Sequence, residues 1–303
     1  MPSRAPDGVR TVYLGTSEFA AAVLHRVAAS PHRPELVITR PDRPRGRGRH
    51  LSAPPVAQAA RELGIKLAQP QLVNDEPTRR CVAEIDPQAV CVCAFGALIK
   101  EPLLSEHLIL NLHPSLLPRW RGAAPIERAI MAGDDHTGDS IMRLTAGLDS
   151  GPVCLQASEP IGPQDTYGTL AARLQALGGE LLVRALDTTP SCVEQDESLV
   201  TYAEKLTPED RTLDPGRSAI ELERVVRSLA PHIGARVQLG DGSWLGVGQA
   251  RARPDSGPPP GVLSLDRPRP VLGCAEGSLE LVIVQPPGRR AMAAEDFLRG
   301  RRS

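Results

Sequence analysis

No apolar run in this 303-residue chain approaches the roughly 20 residues that span a bilayer, so no membrane association is expected. The opening residues, MPSRAPDGVR, lack the apolar stretch of a secretory signal, and a cytoplasmic protein is expected. Cysteine is sparse and falls at no metal-ligand spacing: Cys81, Cys91, Cys93, Cys154, Cys192 and Cys274. Cys91 and Cys93 would share one face of a strand, but two thiols alone make no zinc site. All six are expected as small buried hydrophobes, and no metal is expected. Lysine is confined to Lys66, Lys100 and Lys205, so arginine carries nearly all the positive charge. A net charge of −1 excludes a chain that binds polyanions through bulk charge. Gly15-Thr16-Ser17 is not G-x-G-x-x-G, which removes the phosphate-cradling turn of a nicotinamide dehydrogenase. Internal repeats are absent.

What is present alternates between strand and helix. Residues 10–15 read as a buried strand, and Thr16-Ser17-Glu18 as the capped start of a helix running to about Ser30. Residues 36–39 read as a second strand. Residues 41–55, rich in Pro, Gly and Arg, are expected to be irregular. Within ten residues there, Arg40, Arg43, Arg45, Arg47 and Arg49 cluster, opposed only by Asp42. A helix follows from Val56 to just before Gly64. Ala89–Ala94 is continuously apolar, as a strand buried on both faces would be. Residues 108–112 form the next strand, and helical spacing returns at 124–132 and 166–187. This alternation predicts a Rossmann-like open, mostly parallel sheet. After residue 188 the pattern changes to a helix at 216–229 and five short strands, with a Gly-Asp-Gly turn at 240–242. A small OB-like β-barrel is expected there. The expected division is 1–188, a linker at 189–208, and 209–303.

One strand end carries the chemistry. Open α/β sheets bind ligands beyond the carboxyl ends of their strands. The strand at 108–112 delivers Asn111 and His113 to that place. Pro114 and Pro118 stiffen the segment that follows. Downstream, Asp149 stands between Gly147 and Gly151, in a loop able to approach another closely. An amide, an imidazole and a carboxylate to hold that imidazole suit stabilisation of an oxyanion without an enzyme nucleophile. Taken alone, the histidine reads equally as a satisfied polar residue, and the aspartate as an ordinary turn residue.

The strings NLHPSLLPRWRGAAPIERAI and GLDSGPV resemble the 10-formyltetrahydrofolate-dependent formyltransferases. The resemblance extends through VYLGTSEFAA, ITRPDRPRGRGR, VCAFGALI, LVTYAEKLTPED and GRRAMAAEDFLRGRR, almost the whole chain. The arginine insertion and the C-terminal module resemble the branch of that family that acts on tRNA. The resemblance implies a catalytic trio of Asn111, His113 and Asp149. It implies a folate site bordered by Phe95, Gly96, Ser115, Leu116, Leu117 and Pro118. It also implies tRNA contacts at Arg43, Arg45, Arg47, Arg49 and Lys205. The implied reaction passes the formyl group of 10-formyltetrahydrofolate directly to the free amine of initiator Met-tRNA, with the protein acting as a monomer. An amino-sugar nucleotide is the alternative acceptor. Pro114 and Ser17 depart from commoner residues of the family, and the region of Pro231 and His232 lacks its usual aromatic.

Overall fold

A computed structural model describes residues 8–45, 50–255 and 257–302. In chain order the elements are β1 (Thr11–Gly15), α1 (Glu18–Ala28), β2 (Leu36–Ile38), β3 (Arg43–Arg45), β4 (His50–Ser52), α2 (Pro55–Glu62), β5 (Lys66–Ala68), α3 (Glu76–Ile85), β6 (Ala89–Cys93), α4 (Leu103–Glu106), β7 (Ile109–His113), β8 (Arg121–Gly122), α5 (Pro125–Ala132), β9 (His136–Arg143), β10 (Val153–Pro160), α6 (Tyr167–Thr188), β11 (Tyr202–Ala203), α7 (Ala219–Leu229), β12 (Ala235–Gln238), β13 (Trp244–Arg253), β14 (Leu263–Ser264), β15 (Val271–Gly273), β16 (Ser278–Gln285), β17 (Met292–Ala293) and α8 (Ala294–Arg302). They form two compact units. The first comprises the chain up to Gly122 with Thr137–Glu159 and Ala171–Tyr202. The second comprises Ala123–His136, Pro160–Leu170 and the chain from Ala203 onward.

The first unit is built on a seven-stranded sheet in the order β10-β9-β7-β6-β1-β2-β5. The β1–β2, β2–β5, β1–β6 and β6–β7 pairs are parallel and β7–β9 is antiparallel, so the mostly parallel sheet expected from sequence is present. Every residue of β1, β6 and β7 is buried, which explains their continuous apolar runs. Val12, Leu14, Val90, Val92, Phe95 and Ile109 share one core cluster. Each fully buried side chain of this size contributes roughly 1.5–3 kcal/mol. Helix α1 begins where its sequence indicates, with the Ser17 hydroxyl accepting from the Ala20 amide.

Two expectations are corrected in this unit. Residues 41–55 are not wholly irregular, because β3 and β4 pair as an antiparallel ribbon with Pro44 opposite Leu51. A two-stranded ribbon tolerates the missing proline N–H on its open edge. Nor are all six cysteines free: Cys154 and Cys192 form a disulfide, leaving Cys81, Cys91, Cys93 and Cys274 as thiols. Val153 and Val193, next to those cysteines, exchange two backbone hydrogen bonds of 2.8 Å, and this bridge brings the sulfurs together. Cys91 and Cys93 do lie buried, and burial pushes the Cys91 thiol up to about 12.

In the second unit, α7 opens on a complete capping box. The Ser218 hydroxyl accepts from the Glu221 amide, and the Glu221 carboxylate accepts from the Ser218 amide. Leu222, Val225, Val226 and Leu229 of α7 bury against Val237, Leu245, Val247, Leu279 and Leu281 of an antiparallel sheet. That sheet runs β12-β13-β16-β15-β14, with β17 also on β16. Its end strands do not pair among the described residues, so the expected barrel is a curled half-barrel. The Gly-Asp-Gly turn joins β12 to β13, and Gly242 takes a φ of 80° that glycine adopts without strain. Helix α5 belongs to this unit. Its Glu127 pairs with His232 at 3.0 Å, and His232 stacks on Tyr167 at 3.7 Å between ring centroids. No described helix is long and apolar enough to cross a membrane.

Candidate active site

Strand β7 lies inside the first unit's sheet, with Asn111 in register with Val92 of β6 and Met142 of β9. A central strand held on both sides gives its side chains a fixed direction. Asn111 and His113, two residues apart, share one face of it. Both are buried, at 8% and 5% exposure. Asn111 stands near the strand's carboxyl end, where open α/β sheets receive ligands. An amide held there can donate to an incoming oxygen.

His113 is oriented from two sides. Its Nε2 donates to the Trp120 carbonyl at 2.8 Å, an assignment fixed by the carbonyl's inability to donate. Its Nδ1 faces Asp149 Oδ2 at 3.5 Å, longer than a direct N–H···O bond. The nitrogen not committed to a short bond is therefore Nδ1. Asp149 Oδ2 also accepts from the Gly122 amide at 2.8 Å. Two non-glycine residues of this cluster sit in the left-handed region, Trp120 at φ 64° and Asp149 at φ 47°. Such backbone persists where its surroundings hold it, and aspartate tolerates it better than most residues. The flanking glycines have physical reasons. A Cβ on Gly151 would overlap the Arg143 carbonyl, and one on Gly147 would overlap the Ser150 hydroxyl.

The remaining sequence-predicted residues divide. Phe95 is buried in the core, and its carbonyl accepts the Thr16 hydroxyl at 2.7 Å. Gly96 follows at φ 71° with open space where a Cβ would stand. Ser115 is fully buried and its hydroxyl donates to the Arg119 carbonyl at 2.6 Å, which tightens the turn after β7. Leu116 and Pro118 are half-buried, and Leu117 is buried with its amide on the Ser140 hydroxyl. The Leu117–Pro118 peptide is cis. Arg43 is exposed on β3, and Arg45 ends that strand. Arg47 and Arg49 lie outside the described residues. Lys205 is exposed in the second unit. The trio and the folate-side residues thus belong to one unit.

Sequence reasoning missed the backbone groups that hold the trio, the Trp120 carbonyl and the Gly122 amide. It also missed Arg121, which is 2% exposed and reaches Glu197 at 2.8 Å and Gln195 at 2.9 Å. The local signal was there in part, since an arginine between tryptophan and glycine is a costly group to bury without partners. One cavity of about 310 Å³ is lined by residues including Leu110, Arg143, Cys154 and Cys192, and another of about 340 Å³ by residues including Leu117, Pro118, Gln156 and Gln195. Neither lining includes Asn111, His113 or Asp149.

A profile described as formyl transferase matches residues 9–186, and one described as formyl transferase, C-terminal domain, matches residues 205–302. The methionyl-tRNA formyltransferase of Ectopseudomonas mendocina is 39% identical over 303 residues, covering 98% of this chain and 96% of the relative. That of Thermobifida fusca is 40% identical over 301 residues, with 97% of each covered. Among solved structures, methionyl-tRNA formyltransferase from Clostridium thermocellum superposes with a TM-score of 0.60 at 14% identity, covering 81% of this chain and 94% of that one. An N-formyltransferase from Helicobacter canadensis, in complex with folinic acid and dTDP-3-aminofucose, gives a TM-score of 0.65 at 12% identity, covering 90% and 98%.

Proposed function

The chain belongs to the formyl transferase family, and on that premise we propose that it transfers the formyl group of 10-formyltetrahydrofolate to the free amine of initiator Met-tRNA. The observation that carries the acceptor is the extent of similarity. Relatives named methionyl-tRNA formyltransferase match at 39–40% identity through both units, the second unit included.

Asn111 and His113 serve the oxygen of the formyl carbon. When the amine attacks, negative charge gathers on that oxygen, and the Asn111 amide and the His113 Nδ1–H donate to it. The Trp120 carbonyl keeps a hydrogen on Nε2, so the proton that moves is the one on Nδ1. Asp149, facing Nδ1, takes part in passing the proton that the attacking amine loses, through a water, to the leaving nitrogen. No side chain is needed as a nucleophile, and transfer is direct. Gly96, with open space beside it, and the turn of Ser115 to Pro118 border the folate. The arginines of the 43–49 segment and Lys205 hold tRNA phosphate, for which guanidinium offers a planar fork of donors. Asn111, His113 and Asp149 all lie in the first unit, so transfer needs no residue from a second copy.

The test offers 10-formyltetrahydrofolate with initiator Met-tRNA, elongator Met-tRNA, glycinamide ribonucleotide and an amino-sugar nucleotide in parallel. Transfer to initiator Met-tRNA is expected. Transfer only to the ribonucleotide or the amino sugar would overturn the choice of acceptor.

A further inference from the structure

The loop that carries Asp149 is gripped from outside by a segment 46 residues downstream, and the grip is made by one side chain. The Gln195 Nε2 donates to the Asp149 carbonyl at 2.8 Å and to the Gly151 carbonyl at 2.7 Å. Its Oε1 accepts from the Arg121 Nε at 2.9 Å. Both amide hydrogens and the oxygen are thus spent, and the arginine dictates which way the amide faces. Arg121 is itself held by a fork on Glu197, at 2.8 and 3.2 Å. The segment has two further anchors. Its upstream end is fastened to β10 by the Val153–Val193 bridge and the Cys154–Cys192 disulfide. Its downstream end lies on the residues that hold His113, since Thr201 accepts from the Trp120 amide at 2.9 Å through its hydroxyl and from the Arg121 amide at 2.9 Å through its carbonyl.

We propose that Gln195 is a positioning residue for formyl transfer, clamping the left-handed backbone at Asp149 so that its carboxylate faces His113 Nδ1. The proposal rests on the assignment of Asn111, His113 and Asp149 as the catalytic groups. Asp149 at φ 47° is disfavoured for a non-glycine residue and would relax without a restraint. Two hydrogen bonds to the carbonyls on either side of Ser150 supply that restraint. Glutamine is the residue this needs, because only an amide gives two hydrogens to the carbonyls and an oxygen to the arginine. Gln195 touches neither formyl donor nor acceptor in this role. It acts through Asp149.

The experiment is a double-mutant cycle in the formylation assay with 10-formyltetrahydrofolate and initiator Met-tRNA. It uses the full chain as wild type, Gln195→Ala, Asp149→Asn and the double variant, with thermal unfolding recorded for each. Gln195→Ala should lower kcat about 10- to 100-fold, as a small misplacement of a catalytic group does, with KM for both substrates unchanged. It should add nothing to the loss caused by Asp149→Asn. Gln195→Glu keeps the bulk but sets oxygens against both carbonyls, and should lose as much as alanine. Wild-type kcat in Gln195→Ala overturns the proposal. So does a loss as large in the Asp149→Asn background as in wild type, since that describes general loosening. If Asp149→Asn itself keeps wild-type kcat, the reading of the catalytic trio falls instead.

Discussion

The Trp120 carbonyl accepts a 2.8 Å hydrogen bond from Nε2 of His113, and this bond decides which nitrogen of the ring can do chemistry. A carbonyl cannot donate, so Nε2 carries the hydrogen, and Nδ1, opposite Asp149, is the nitrogen that exchanges its proton. Nitrogen NMR on histidine-labelled protein should show His113 with hydrogen on Nε2. A neutral ring with its hydrogen on Nδ1 would contradict the arrangement.

Asp139 is a carboxyl without support. It is fully buried in β9, and neither of its oxygens finds a hydrogen-bond partner among the described residues. Burial holds its pKa well above the usual carboxylate range, and the nearby Glu159 carboxylate adds to the effect. In the unfolded chain the group ionises near its ordinary value, about 3.9. Above that pH the folded state keeps a proton that the unfolded state has lost. Stability therefore falls as pH rises from the ordinary value through the raised one. Asp139→Asn has the same shape and cannot ionise. It should stabilise the protein by at least about 1 kcal/mol at pH 7. The gain should vanish as pH falls toward 4, in denaturant titrations at each pH. A gain independent of pH would sink this account.

The Cys154–Cys192 disulfide closes a loop with a sequence separation of 38. Closing such a loop in the unfolded chain is worth on the order of 2–4 kcal/mol. Urea unfolding of the oxidised protein should show that loss on adding reductant, and Cys192→Ala should show none. Thiol titration in denaturant should count the four free cysteines, not six. Six would exclude the bond.

Arg47, in the arginine segment whose central residues lie outside the described structure, is assigned to tRNA phosphate. Arg47→Ala should raise KM for charged tRNA, leave KM for the folate unchanged, and reduce the salt dependence of tRNA binding by about one phosphate contact. If formylation kinetics and salt slope matched wild type, the segment would be only a solvated surface.

How much was legible follows from what each element displays. Strands β1, β6 and β7 announce themselves because burial on both faces demands unbroken apolar runs. Strand β9 does not, because Thr137, Asp139 and Ser140 are polar residues at buried positions and erase the pattern. The β3–β4 ribbon was hidden by proline and arginine, which read as loop. The pairing of Cys154 with Cys192 had no local sign, since only the Val153–Val193 bridge makes them neighbours. Asn111 and His113 were legible from their place at a strand end, whereas Asp149 joined them through family resemblance. The Trp120 carbonyl and the Gly122 amide are backbone groups and leave no mark on side-chain identity.

The central claim is that Asn111 and His113 donate to the oxygen of the formyl carbon in the transition state. Single-turnover formylation of initiator Met-tRNA by Asn111→Ala tests it most directly. Removal of one such donor costs about 2.7–4 kcal/mol of transition-state stabilisation, a 10²–10³-fold slower step. The account predicts a loss of that size with folate affinity unchanged. A wild-type rate in Asn111→Ala would contradict it.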